Sequence, residues 1–338
     1  MKAVVVSPEA SCLNFPTSLK DADVPMPVLA PRDLLIRVEA VSVNPIDLKM
    51  ARAKPAAEGI PRILGWDAAG TVSALGNEVL GFRVGDSVYY AGSVMRQGCF
   101  SEFQSVDERL VALAPKSLSS IEAAAMPLSA LAAWEALFER MQIPQQSGGD
   151  RIDTLLVLGG AGGVGSMAIQ LAAQLTNLYI IATASRAESK SQCLAMGAHS
   201  TIDHTAPLAP QLKSLGRIKV NNVLCLSEPS AFLPELVQSL APFAHVCSLV
   251  EATSSLDMNI LRPKSISFTW EGVFTRSIFS TPDMAEQGVI LHKIAELVDT
   301  GLLKSTLTQH LGPIDAKSLM KAHVYLKTQR TLGKICMG

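Results

Sequence analysis

The stretch TLLVLGGAGGVGSMAIQLAA, residues 154–173, decides the fold. Leu155, Leu156, Val157 and Leu158 make an apolar run of the length expected for a strand buried on both faces; glycines follow at once, and a helical pattern begins behind them. Strand, glycine turn and helix, in that order, build a dinucleotide site. Gly160, Gly162 and Gly165 fit G-x-G-x-x-G: the first allows the tight turn, the second lets backbone approach a pyrophosphate, and the third lets the helix pack closely on the strand. The N-terminus of that helix offers unpaired N–H groups and a partial positive charge to phosphate.

The next strand reads as LYIIATA, residues 178–184, and its end tests the cofactor. An NAD site places Asp or Glu there to accept from the ribose hydroxyls. This chain has Ser185 and Arg186, followed by Glu188 and Lys190. A hydroxyl and a guanidinium suit a phosphate, because arginine donates two parallel hydrogen bonds to its oxygens. The residues favour NADPH over NADH. Glu188, three positions past the strand, is expected on the first turn of a helix, and the competing reading of Arg186 is a solvated loop charge.

Composition bounds the rest. With 338 residues and domains of roughly 100–200, two domains are expected. Hydrophobic residues make up 48% and charged ones 17%, enough apolar mass for sizeable cores. The net charge of −1 without a basic block points away from nucleic acid and from an anionic membrane surface. The six cysteines, at 12, 99, 193, 225, 247 and 336, form no C-x-x-C and read as free thiols of a reducing compartment. MKAVVVSPEA lacks the apolar core of a signal peptide, and no run of about 18 apolar residues occurs. A soluble, cytoplasmic protein is expected.

Residues 1–124 carry short apolar stretches between turn signals: Ala3–Val6, Leu34–Val43, Gly70–Ala74, Asp86–Tyr90, Phe100–Gln104 and Arg109–Ala114. That spacing predicts a small antiparallel barrel. Val24–Pro31 is too rich in proline to lie inside a sheet and reads as a connector. From Ser119 the chain turns alanine-rich and helical, with Ser119 or Ser120 as the cap and a break at Pro127. Ile143–Asp150 is a polar loop. Beyond the glycine turn, Ser200–Asp203, Asn222–Leu226, His245–Val250 and Ser265–Trp270 complete six strands alternating with helices, which predicts a doubly wound parallel sheet. A helix from Pro282 to Asp299 stops at Gly301; Gln309–Ile314, a short helix and Gly333–Met337 follow. The expected division is 1–124, 125–297 for the nucleotide domain, and 298–338 as a return to the first domain.

VSVNPIDLKM (41–50), ILGWDAAGTV (63–72), VGDSVYY (84–90), the alanine-rich helix, GGAGGVG (159–165), TASR (183–186), LRPKSISF (261–268) and LGKI (332–335) occur in one order along the chain. In these motifs the chain resembles the zinc-free quinone oxidoreductase branch of the medium-chain dehydrogenase/reductase superfamily, and most closely the proteins called zinc-type alcohol dehydrogenase-like. The resemblance implies an α/β protein: a GroES-like β-barrel domain, a Rossmann domain with a doubly wound parallel sheet, and an active site in the cleft between them.

Where a zinc alcohol dehydrogenase has its cysteine ligand this chain has Asn44, where that enzyme has the histidine of G-H-E it has Trp66, and the third ligand position falls near Leu128. None is a thiolate or an imidazole, and between Ala91 and Ser105 only Cys99 remains of a four-cysteine lobe. The histidines, at 199, 204, 245, 292, 310 and 323, have neither the number nor the spacing of a metal site. No metal is expected. Without a Lewis acid, alcohol oxidation loses its means of forming the alkoxide. A quinone or an α,β-unsaturated carbonyl accepts hydride more readily, since it delocalises the incoming charge onto oxygen.

The resemblance also assigns residues. Asn44 is a donor to the nicotinamide ribose or to a substrate oxygen, or else a turn residue before Pro45. Asp47 ties down that loop or acts as an acid or base, and Lys49 is a proton donor or a solvated lysine. Trp66 walls the substrate cleft or belongs to the core; Tyr90 touches substrate or fills a barrel strand. Ser129 meets the nicotinamide ribose; Gly162, Gly163 and Val164 present backbone to the pyrophosphate. Ser185, Arg186 and Lys190 meet the adenosine phosphate. Leu226, Ser227, Leu249 and Val250 hold the nicotinamide half, and Lys334 is a further phosphate or ribose contact.

Three functions are compatible with these residues: an NADPH-dependent reductase of quinones or enones, an enoyl-type reductase acting on another activated carbonyl or thioester, and a low-turnover NADPH-binding sensor or interaction protein. In LRPKSISFTWEGVF, Ile266, Phe268 and Trp270 share one face of an edge strand, which predicts a homodimer.

Overall fold

The computed structural model describes residues 1–6, 18–51, 61–146, 153–217 and 219–338. Cys12 and the end of the polar loop, 147–150, lie outside the described residues. In chain order the strands are β1 Lys2–Val6, β2 Leu19–Asp23, β3 Asp33–Ser42, β4 Arg62–Ile63, β5 Ala68–Leu75, β6 Ser87–Tyr90, β7 Phe103–Asp107, β8 Val111–Leu113, β9 Thr154–Leu158, β10 Tyr179–Thr183, β11 Ser200–Ile202, β12 Val220–Cys225, β13 Leu240–Ser248, β14 Ser267–Trp270, β15 Leu307–His310 and β16 Lys334–Met337. The helices are α1 Pro45–Met50, α2 Ser120–Ala124, α3 Pro127–Trp134, α4 Gly163–Leu175, α5 Ala187–Ala195, α6 Leu208–Ser214, α7 Pro229–Ser239, α8 Thr275–Phe279, α9 Glu286–Asp299 and α10 Ala316–Lys327. The chain forms two compact units, Met1–Leu131 with Phe274–Gly338, and Ala132–Val273.

The second unit is built on a parallel six-stranded sheet in the order β11-β10-β9-β12-β13-β14. Its strand order is that of a doubly wound dinucleotide fold, with the reversal of direction between β9 and β12. Every residue of β9 is buried, as a strand covered on both faces requires. Leu156 and Leu158 point to the side where Ile181, Val223 and Val246 pack against Leu208 and Leu212 of α6 and Leu236 of α7. Leu155 and Val157 point to the other side and are equally inaccessible. β14 is an edge strand, and Trp270 at its end is half exposed.

The first unit holds a sheet in the order β15-β16-β3-β5-β6-β8, with β7 also on β3, and a small sheet β2-β1-β4. Long β3 is the common partner, antiparallel to β5, β7 and β16. Trp66, Tyr89, Tyr90 and Phe100 are its largest fully buried side chains. Ser119 caps α2 in a reciprocal box with Glu122, and Pro127 opens α3 at a position where its missing N–H has no helical partner to lose.

Local expectation and structure differ at identifiable places. β2 is LKDAD, polar on its outer face, and among the described strands it pairs with β1 alone; a half-exposed edge strand carries no hydrophobic signature. Arg109 lies in a 3-10 turn, Glu108–Leu110, and not in a strand, because Asp107 accepts from the Arg109 N–H at 3.0 Å and closes the turn first. The strand expected at Phe100–Gln104 begins only at Phe103, while Ser101 makes an isolated bridge to Ala3. The helix expected from Pro282 starts at Glu286. α3 runs on into a π-helical segment, Glu135–Arg140.

Candidate active site

In the second unit the residues expected at the dinucleotide collect at the C-terminal ends of β9, β10, β12 and β13, where open α/β sheets bind ligands. A Cβ on Gly160 would stand 2.7 Å from Ala182 Cβ, and one on Gly165 would stand 2.5 Å from Gly160 O and 2.6 Å from Gly159 O. These two glycines are demanded by packing. Gly162 differs: a Cβ there would meet nothing closer than Gly159 O at 4.0 Å, so the space above it is open. Gly162 is the N-cap of α4 and supplies no side-chain acceptor, which leaves the first-turn N–H groups of Gly163, Val164 and Gly165 directed outward.

Ser185 and Arg186 follow β10 and are half-buried; Arg186 is the N-cap of α5, its N–H bonded to Ser189 Oγ at 3.1 Å. Lys190 lies one turn on and is half-buried, whereas Glu188 is exposed on the first turn. Leu226 and Ser227 follow β12, with Leu226 N–H donating to Leu158 O at 3.1 Å. Leu249 and Val250 follow β13, where the Leu249 N–H donates to Cys225 O and Ser248 Oγ to Val250 O.

In the first unit Asn44, Asp47 and Lys334 come together around a residue to which the sequence reading gave no role, Asp67. Asp67 is fully buried and accepts at Oδ2 from Lys334 Nζ (2.7 Å), Ser42 Oγ (3.0 Å) and Asn44 Nδ2 (3.1 Å), and at Oδ1 from Leu128 N–H (3.0 Å). Four donors satisfy the carboxylate, as burial of a charge demands. A single carboxylate inside the apolar run ILGWDAAGTV was the signal that such a hub exists.

Two of the expected site residues are engaged within this network. Asn44 Nδ2 donates to Asp67 and to Ser42 O (3.4 Å), and its Oδ1 accepts from Lys334 Nζ, so both amide hydrogens are engaged internally and neither is offered to a ribose or substrate. Lys334 is buried, with Nζ directed to Asp67, Asn44 and Val43 O (3.3 Å); its three donors are all taken inside the protein rather than presented to a phosphate. Asp47 holds the loop: its Oδ2 accepts from Asn44 N–H at 2.7 Å, and His323 Nε2 of α10 lies 3.4 Å from it with both side chains buried. His323, set aside on spacing, thus enters the network through tertiary contact.

The other expected residues of this unit are placed as follows. Lys49 is exposed on α1. Trp66 is buried and donates Nε1–H to Ser93 O at 2.9 Å, which places it in the core of this unit. Tyr90 is buried in β6, and its hydroxyl has no hydrogen-bond partner among the described residues; burial pushes the phenol well above its usual pKa, with Cys99 adding to the effect. Ser129, one residue past Leu128 in α3, is likewise buried with an unpartnered Oγ. A buried hydroxyl left open in this way is what a bound ribose would satisfy.

Comparison with known proteins bears on these observations. Residues 30–116 match the family described as alcohol dehydrogenase GroES-like domain, and residues 196–336 the family described as zinc-binding dehydrogenase. The zinc-type alcohol dehydrogenase-like protein SAS2087 of Staphylococcus aureus is 36% identical over 306 residues, 90% of each chain. The chain belongs to the medium-chain dehydrogenase/reductase superfamily. Among solved structures of the superfamily, a putative zinc-dependent alcohol dehydrogenase from Rhizobium etli superposes with a TM-score of 0.93 at 41% identity, covering 100% of this chain and 97% of that one. A quinone oxidoreductase from Pseudomonas syringae superposes with a TM-score of 0.83 at 26% identity over 99% of both chains. This medium-chain dehydrogenase/reductase is therefore an oxidoreductase of a fold that binds NAD(P).

The zinc named in the second family's description finds no donor set at the three positions where the resemblance places its ligands. Asn44 contributes an amide already bonded on both sides, Trp66 an indole N–H engaged with a carbonyl, and Leu128 no donor atom in its side chain. The thiols bordering the network are no substitute. Burial holds Cys99 far above its ordinary pKa, and burial, opposed by Lys334, pushes Cys336 up to about 12, so both stay protonated. Among the described residues no three His, Cys, Asp or Glu side chains converge as metal ligands. No described helix is long and apolar enough to cross a membrane.

Proposed function

We propose that this chain is an NADPH-dependent reductase that delivers hydride to a quinone or an α,β-unsaturated carbonyl without a metal. The observation that carries the reading is the polar network of the first unit: Asp67 is occupied by an ammonium and by N–H and O–H donors, and the residues around it offer no Lewis acid a place. A substrate that must form an alkoxide needs such help, whereas a conjugated acceptor spreads the arriving charge onto its own oxygen.

NADPH supplies the hydride. The protein's part is binding, orientation and exclusion of water. The open space over Gly162 and the outward N–H groups of α4 receive the pyrophosphate, with Gly160 and Gly165 giving the turn its shape. Ser185, Arg186 and Lys190 meet the adenosine phosphate, and Leu226, Ser227, Leu249 and Val250 line the nicotinamide half. Ser129 Oγ satisfies its missing hydrogen bond on the nicotinamide ribose. The proton that completes reduction comes from solvent, because no titratable side chain of the network is both accessible and unengaged. The exposed edge of β14, with Trp270, pairs with its twin in a homodimer.

NADPH absorbance loss with 9,10-phenanthrenequinone tests the reading, with NADH and chelator as controls. Rapid NADPH oxidation indifferent to chelator is expected, and Arg186→Ala raises the KM for NADPH about tenfold or more while leaving that for NADH unchanged. Chelator-sensitive oxidation of an alcohol, or equal use of NADH by the wild type, overturns it.

A further inference from the structure

We propose that Lys334 is the resident cation of this site: its ammonium neutralises Asp67 and fixes the amide of Asn44, so that the site is complete without the zinc that the matched family's description names. The inference rests on the metal-free reading above and says what stands in the metal's stead. Lys334 is delivered by strand register. Cys336 pairs with Ser42 and Met337 with Val41, and the Val43 N–H donates to Ile335 O, which carries Lys334 alongside Asn44 at the end of β3. There its Nζ meets three oxygens of three kinds: the Asp67 carboxylate at 2.7 Å, the Asn44 amide oxygen, and the Val43 carbonyl at 3.3 Å. An ammonium has three N–H bonds, and three acceptors saturate it.

The same contacts give the cation a positioning role. Lys334 draws Asn44 Oδ1 toward itself, which turns Nδ2 onto Asp67 and Ser42 O. Asp67 then holds the Leu128 N–H through its other oxygen, and Leu128 precedes Ser129 at the start of α3. The titratable groups facing the pair are Asp47 of α1, Cys99, Cys336 of β16, and His323 of α10 behind Asp47; the two thiols are neutral, so Lys334 is the one full positive charge that the described contacts of Asp67 contain. A divalent ion entering beside Asp67 would meet that ammonium at close range.

A thermodynamic cycle tests the proposal: Lys334→Met, Asp67→Asn and the double variant, each in chelator, followed by thermal midpoint and by NADPH titration. Removing one partner of a buried pair leaves the other charge unpaired, so Lys334→Met alone is expected to lower the midpoint by about 6 °C or more. Adding Asp67→Asn removes the orphaned charge and is expected to recover at least half of that loss, with the Kd for NADPH within about threefold of wild type. A double variant that loses the sum of the two single losses overturns the proposal. So does a double variant that folds but binds NADPH about tenfold or more weakly, since the ammonium would then serve the cofactor. Cobalt(II) titration of the wild-type chain needs no variant: absence of the visible tetrahedral band, with only sub-stoichiometric metal retained through gel filtration, is expected. One equivalent retained by the wild type and released by Asp67→Asn overturns the proposal. Turnover enters none of these readouts, so failure of the reductase reading and failure of this inference show up separately.

Discussion

Two alanines placed three residues apart in the glycine turn should have opposite effects on stability and on cofactor affinity. In Gly165→Ala the new methyl stands 2.5 Å from Gly160 O and 2.6 Å from Gly159 O, both main-chain atoms of the turn, and they must retreat by roughly an ångström before ordinary contact returns. Overpacking against backbone costs about 1–3 kcal/mol, or about 2–12 °C in midpoint for a protein of this size. In Gly162→Ala the methyl meets nothing nearer than 4.0 Å, and φ −76° with ψ 180° is open to any residue. Only the exchange of an N-cap glycine for alanine remains, worth about 1 kcal/mol or less. The space it fills is the space a pyrophosphate would need, so NADPH affinity should fall about tenfold or more while the midpoint barely moves. Thermal unfolding followed by circular dichroism and NADPH fluorescence titration separate the two effects. Gly162→Ala binding NADPH within twofold of wild type would show that the pyrophosphate does not lie there; an unshifted midpoint for Gly165→Ala would refute the packing argument.

Two further perturbations probe the second unit. Glu271, at the end of β14, is buried beside Glu135 of the π-helical segment, with Arg140 Nε 2.8 Å from its Oε2; burial first and Glu135 second push its pKa up to about 9, against the pull of Arg140. A carboxyl whose folded pKa is raised holds its proton in the native state while the unfolded chain has lost it, so stability falls as pH climbs from about 4.5 toward 9. Glu271→Gln removes that dependence, and the midpoint difference, variant minus wild type, should grow steadily between pH 5 and pH 9; parallel curves would sink the assignment. Trp270→Asp places a charge on the exposed end of β14, and light scattering at micromolar concentration should report a monomer for the variant and a dimer for the wild type. A wild-type monomer would remove the dimer from the proposal.

Much of the second unit is legible in local pattern. A continuous apolar run must be buried on both sides, a glycine turn must precede the helix, and alternation of strands with helices calls for a parallel sheet, which is how β9, α4 and the doubly wound parallel sheet could be anticipated. The antiparallel unit is read less completely for a physical reason. β2, written LKDAD, buries little, and an edge strand is stabilised by main-chain bonds that any side chain permits. Arg109 was displaced from its strand by a neighbouring carboxylate, a competition settled by a single hydrogen bond.

By itself the sequence determined the dinucleotide turn and its glycines, the residue types at the end of β10, and the lack of thiolate or imidazole at Asn44, Trp66 and Leu128, because each of these depends on chemistry held within a few consecutive residues. Only the tertiary structure decided what the polar residues do. Lys334 meets Asp67 across 267 positions and Asn44 across 290, and His323 meets Asp47 across 276. No periodicity links such residues; a buried charge must find its partner wherever the packed strands bring one, and that choice is made by sheet register, which belongs to the whole fold.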